Sequence, residues 1–160
     1  MNPRQLEQYL ELPNITASLV AYRNAAQKSK WYIRFFVPGP DGRYTPGVSV
    51  VSSSRVPKLV SDLKKAHQKM EFLQQQKYSG RFSEDFVLSG EVSETLSVTV
   101  SSETSHFLFW SYKKTRLHFL VSSKTNTFST SFDSDDVKMV ISILSLAEDL
   151  AAKLINQLES

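Results

Sequence analysis

The hydrophobic positions of this chain keep one period for a while, change to another, and then repeat the change. At the start Leu6, Tyr9 and Leu10 stand at helical spacing, which predicts a short amphipathic helix over Pro3–Leu12 stopped by Pro13. Ile15–Arg23, Lys30–Val37 and Arg43–Ser52 then read as three strands. They are rich in β-branched and aromatic residues and separated by turn chemistry such as Pro38-Gly39-Pro40-Asp41-Gly42. From Ser54 the period becomes helical, with Val56, Leu59, Val60, Leu63, Ala66, Met70 and Leu73 on one face and Pro57 tolerable in the first turn.

A connector over Lys77–Ser83, containing Gly80, leads into a second cycle. Phe86–Glu91, Thr95–Ser102, His106–Lys113, Arg116–Ser122 and Thr127–Phe132 are its candidate strands, the middle pair joined by a tight basic turn Lys113-Lys114-Thr115-Arg116. Asp133 or Ser134 caps a long helix bearing Val137, Val140, Ile141, Leu144, Ala147, Ala151, Leu154, Ile155 and Leu158. A shift of 81 residues lays Val56, Leu59, Val60, Leu63 and Ala66 over Val137, Val140, Ile141, Leu144 and Ala147. The expected fold is therefore α+β: tandem antiparallel β-sheet-plus-helix units, two sheets with two long helices, within one domain over 1–160. The first repeat is placed at 13–77 and the second at 84–158.

Composition narrows the functional classes. The chain has 160 residues, enough to bury a sizeable core, and its 41% apolar and 22% charged content is that of a folded domain rather than a disordered one. The absence of cysteine removes disulfides, thiolate nucleophiles and cysteine-ligated zinc together. His67, His106 and His118 lack metal-ligand spacing, Asp135 and Asp136 read as charges favouring a helix N-terminus, and no nucleophile elbow or phosphate-cradling glycine loop occurs. The expectation is a non-enzyme without metal or cofactor. Lacking a long apolar run or a signal-peptide core, the chain reads as intracellular, in cytoplasm, nucleoid or nucleus, with no membrane partner.

The net charge of +3 conceals an asymmetry. Residues 1–80 hold 12 Lys/Arg against 5 Asp/Glu, net +7, whereas 81–160 hold 7 against 11, net −4. An anionic partner is expected on the first half. There, strand alternation turns Trp31, Ile33 and Phe35 one way, under a helix, and Tyr32, Arg34 and Phe36 the other. Flanked by Lys28, Lys30 and Arg43, the second set makes a surface of flat rings among cations. Unpaired bases stack on such rings while Lys and Arg neutralise phosphates. Lys58, Lys64, Lys65, Lys69 and Lys77 read instead as the wet face of the first helix.

Arg23, Ile33-Arg34, Asp41-Gly42 and Pro46-Gly47 form a spaced pattern that resembles the single-stranded-DNA-binding domain of the transcriptional coactivator Positive Cofactor Four, over roughly Leu19–Leu63. The doubled sheet-and-helix layout is similar to that of the Whirly and PUR proteins. Phe36 stands one place earlier than the family's aromatic, Ala25 and Ala26 occupy the first turn, and Thr45, Val48 and Ser49 replace lysines around Pro46-Gly47. The resemblance implies a protein that binds single-stranded DNA first and RNA second, in transcription, replication or repair, as a homodimer or an intramolecular pseudo-dimer. Its expected contacts are Arg23, Lys28, Lys30, Tyr32, Arg34, Phe36 and Arg43, with Lys113, Lys114 and Arg116 from the basic turn. The alternative is a protein-interaction module, such as an intracellular assembly factor or secretion chaperone.

Overall fold

The structure, a computed structural model, describes residues 4–38, 44–75, 81–88, 95–107, 110–122 and 127–160. Its first half runs β1 (Gln5–Leu10), β2 (Ala17–Arg23), β3 (Ser29–Pro38), β4 (Tyr44–Ser52), a single 3-10 turn (Ser53–Arg55) and α1 (Val56–Gln75). Its second half runs β5 (Arg81–Leu88), β6 (Thr95–Phe107), β7 (Trp110–Ser122), β8 (Thr127–Phe132), α2 (Ser134–Ser145) and α3 (Ala147–Glu159). Each half builds one four-stranded antiparallel sheet in simple sequence order. The fold is thus α+β, two antiparallel sheets and two long helices, the second interrupted at Leu146.

Three elements differ from the sequence reading, the first being β5, which begins at Arg81, inside the connector expected over Lys77–Ser83. The segment predicted as a short helix over Pro3–Leu12 is the edge strand β1, so the first sheet starts at Gln5 rather than after Pro13. Leu6 and Leu10 suit either period, being four apart, and six residues hold too few turns for the helical period to stand out. The Lys113–Arg116 segment is no hairpin tip but lies within β7, where Lys113 to Arg116 face Thr104 to Ser101 in unbroken register. Two long strands replace the three shorter ones predicted between Thr95 and Ser122.

The helices follow their apolar periods closely. Val56, Leu59, Leu63, Ala66, Met70 and Leu73 are buried on α1, and Val137, Val140, Leu144, Ala147, Ala151, Leu154 and Leu158 on α2 and α3. Both series step alternately by three and four residues, the spacing of a helix with one buried stripe. Asp133 caps α2 in a capping box: its side chain accepts the Asp136 N–H at 2.8 Å while the Asp136 carboxylate accepts the Asp133 N–H at 3.2 Å. Asp135 and Asp136 stand in the first turn, where the helix dipole favours negative charge.

The units exchange helices. α1 lies on β6 and β7 of the second sheet, α3 lies on β1, β2 and β3 of the first, and α1 packs against α2. Lys113 Nζ donates to the Leu73 carbonyl at 2.8 Å, and Ser29 Oγ to Glu159 Oε1 at 2.6 Å, so each sheet is tied to the C-terminal turn of the other unit's helix. Between the helices the sheets touch directly through Phe35 against Phe119 at 5.4 Å, and Phe119 in turn packs on Phe132 of its own sheet at 5.9 Å. One continuous apolar core results, fed by Ala17, Leu19, Ala21, Ile33, Phe35 and Val51 from one side and Val100, Leu117, Phe119, Val121 and Phe132 from the other.

Candidate nucleic-acid interface

Register fixes what the first sheet turns away from this core. Across the strands Glu7, Val20, Tyr32 and Ser52 lie in one row, and Tyr9, Ser18, Arg34 and Val50 in the next. Because alternate residues face opposite sides, these rows, with Tyr22, Lys30 and Phe36, form the outer face. Val20 and Ser18, on the interior strand β2, are wholly buried there beneath the longer side chains of β1 and β3.

That face is an ordered layer rather than a loose rim. Tyr9 stacks on Phe36 with centroids 5.9 Å apart, and Tyr22 meets Tyr32 edge-on at 5.7 Å. Arg34 lies over the Phe36 ring at 5.1 Å from its centroid, hydrogen-bonds Ser18 Oγ through Nε at 3.2 Å, and forms an ion pair with the Glu7 carboxylate through Nη2. The hydrogen bond from Arg34 holds the Glu7 carboxyl below its ordinary range, helped by the Ser18 hydroxyl and opposed by burial. The same pair raises the Arg34 guanidinium further above its ordinary value, again against burial.

Of the ten contacts expected from the sequence, the outer face gathers Lys30, Tyr32, Arg34 and Phe36. Lys28 is exposed in the adjoining turn, its N–H bonded to Asn24 Oδ1 at 2.9 Å. Arg23 belongs to the inner set by parity, opposite Ser29, so it turns away from the rings. Arg43 lies outside the described residues. Lys113, Lys114 and Arg116 belong to the second sheet and are not brought to this face. There Lys113 serves α1, Lys114 is exposed, and Arg116 donates through Nη1 to Ser131 Oγ at 3.1 Å.

Arg34 therefore does not present a bare cation. Its charge is met by Glu7, and its place is that of a strut holding Phe36 and Tyr9 in a stack. Sequence reasoning missed Glu7, Tyr9, Ser18 and Tyr22. The first two lie on the strand read as a helix, and the last two become partners of β3 only once the register is known. The signal for Tyr9 was its parity: in a strand it stands opposite to Leu6 and Leu10.

Among the described residues no group of three or more His, Cys, Asp or Glu is placed to hold a metal ion, and no helix is long and apolar enough to cross a membrane. No family model matches the chain, and neither curated proteins nor solved structures yield a match.

Proposed function

We propose that the protein binds single-stranded nucleic acid, DNA first and RNA second, on the outer face of the first sheet, and so holds unpaired strands during transcription, replication or repair. The observation that carries this reading is the layer of four rings, Tyr9, Tyr22, Tyr32 and Phe36, on one sheet face with exposed Lys28 and Lys30 beside it. Rings offer stacking to any base at about 1–3 kcal/mol each, whereas a duplex hides its base faces. The excess of positive charge in residues 1–80 and the resemblance of Leu19–Leu63 to the Positive Cofactor Four domain support the same reading.

With Arg34 neutralised by Glu7, the rings and lysines carry the contact, and Arg34 positions them. Fluorescence anisotropy with single-stranded DNA, RNA and duplex of equal length is the test. Single strands should bind better than duplex. With Lys28 and Lys30 neutralising roughly two phosphates, at about −0.7 per phosphate, the slope of log affinity against log salt should be about −1.4. Affinity independent of salt, or preference for duplex, contradicts the proposal.

A further inference from the structure

The edge of the first sheet has a chemistry of its own. Arg23 N–H donates to the Arg4 carbonyl at 3.1 Å, which sets the antiparallel ladder so that even-numbered residues of β1 bond to β2. The N–H and C=O groups of Gln5, Glu7 and Tyr9 consequently point out of the sheet. Sheet edges are ordinarily blunted by proline, lysine, a bulge or a covering loop. Gln5–Leu10 contains no proline or lysine and pairs with β2 without a register shift. On β8, by contrast, the Asn14 side chain covers the Ser131 carbonyl at 3.1 Å.

Beside this edge, on whose outer side no strand pairs among the described residues, runs an apolar groove of about 610 Å³, between Gln8–Glu11 of the edge and Met139, Ile143, Leu146 and Leu150 of the second helix. Met139 is 51% exposed and Leu146 62%. Together with Tyr9 they make three of the four exposed large hydrophobic residues among those described, and all three line this groove. An unpaired strand edge and an apolar groove in one place call for an extended strand as occupant.

The edge is complementary to itself. Exposed Arg4 precedes the strand and exposed Glu11 follows it, so antiparallel pairing of two copies sets Arg4 of each near Glu11 of the other. With outward-pointing groups on odd residues, the register that places Glu7 opposite Tyr9 also places Leu6 opposite Leu10 and Gln8 opposite itself. Apolar then meets apolar on the inner side, beside the groove. The groove also carries charges of both signs, Glu11 and Asp149 against Lys153, so a twofold-related copy can answer them with its own. We propose that a second copy of the chain docks here, β1 against β1 antiparallel, joining two four-stranded sheets into one of eight and covering Met139 and Leu146.

Sedimentation velocity from micromolar to submillimolar protein tests this, with circular-dichroism melts to confirm that each variant is folded. Wild type should sediment with twice the mass of one chain. Met139→Glu with Leu146→Glu, both at exposed positions, should raise the dimer–monomer midpoint by about tenfold or more. Arg4→Glu alone and Glu11→Arg alone should each weaken the dimer, while the two together restore it, because each copy then meets the exchanged charge of the other. A wild type that is monomeric throughout overturns the proposal and leaves the edge to a strand of another protein. A dimer indifferent to the two glutamates, or charge reversals that do not compensate, overturns it too.

Discussion

Aligning Leu19, Ile33 and Val51 of the first sheet with Val100, Leu117 and Phe132 of the second places Tyr32 on Arg116, Arg34 on His118 and Phe36 on Leu120. The inner residues of these aligned rows agree in kind, all apolar and all buried, with Phe35 falling on Phe119. The outer rows do not. The first carries rings braced by the Arg34–Glu7 pair. The second carries hydroxyls around cationic and imidazole groups, His118 Nε2 at 2.8 Å from Ser101 Oγ and Arg116 on Ser131. The fold dictates the inner face and leaves the outer face open to specialisation.

The comparison also corrects how charge is read from sequence. Counting placed the positive field on the first half, yet there Arg34 is met by a carboxylate, while Arg116, from the acidic half, meets only a hydroxyl among its described contacts. Net charge over a segment says which ions are nearby. It does not say which of them already answer one another.

The largest effect should come from the row the two sheets share. Phe35→Ala removes a buried ring at the sheet–sheet contact and should cost about 3–5 kcal/mol in a denaturant melt. A loss below about 1 kcal/mol would mean that the sheets do not meet through this ring.

Next in size is the difference between the two arginines. Arg34→Ala strands the half-buried Glu7 carboxylate, whose Oε1 already lacks a hydrogen bond, and should cost about 1–3 kcal/mol. Arg116→Ala gives up a single bond to a hydroxyl and should cost under about 1 kcal/mol. Equal losses in thermal melts would erase the distinction between a braced face and an unbraced one.

The brace should also show in acid. Glu7 is depressed below its ordinary 4.5, so its contribution is complete above that value and is lost as pH falls through the lower, folded-state value. Wild type should therefore lose stability below about pH 4.5 more steeply than Glu7→Gln. Parallel acid limbs would show that the pair adds nothing to folding. A smaller effect is expected at Lys113, whose ammonium donates to the Leu73 carbonyl near the C-terminus of α1: Lys113→Met should cost about 0.5–1 kcal/mol, measured by denaturant melt, and less at high salt.

Much of the fold was legible because heptad-like spacing and strand alternation are strong signals. Val56 to Leu73 and Val137 to Leu158 fell on the buried stripes, and Ile33 and Phe35 on the inner face. Trp31 shares their side but sits half-buried beside Ser53, Pro57 and Glu148, at the margin of the helices rather than beneath them. What escaped was non-local. β1 is a strand because β2 pairs with it, and a peptide of its pattern has no preference strong enough to announce that. Lys113-Lys114-Thr115 resembled a turn because it is polar. In the structure its inward members are satisfied from a distance, Lys113 by Leu73 and Thr115 by Gln74 Oε1 at 2.7 Å. The exchange of helices between units leaves no trace in either unit's own periodicity. The site suffered for the same reason, since Tyr32, Arg34 and Phe36 were readable along β3 but Glu7, the partner that changes Arg34 from ligand contact to brace, required the register of β1.

The central claim is that the ring face of the first sheet, not the hydroxyl-and-cation face of the second, receives unpaired nucleic acid. A single anisotropy titration series with single-stranded DNA compares them directly, using Tyr9→Ala with Tyr32→Ala on one face and Lys114→Ala with Arg116→Ala on the other. The ring variant should lose about tenfold or more in affinity, the loss of stacking on two rings, while remaining folded. The cation variant should stay within about threefold of wild type, allowing for weaker long-range attraction. Undiminished binding by the ring variant with loss in the cation variant would contradict the account and move the site to the second sheet.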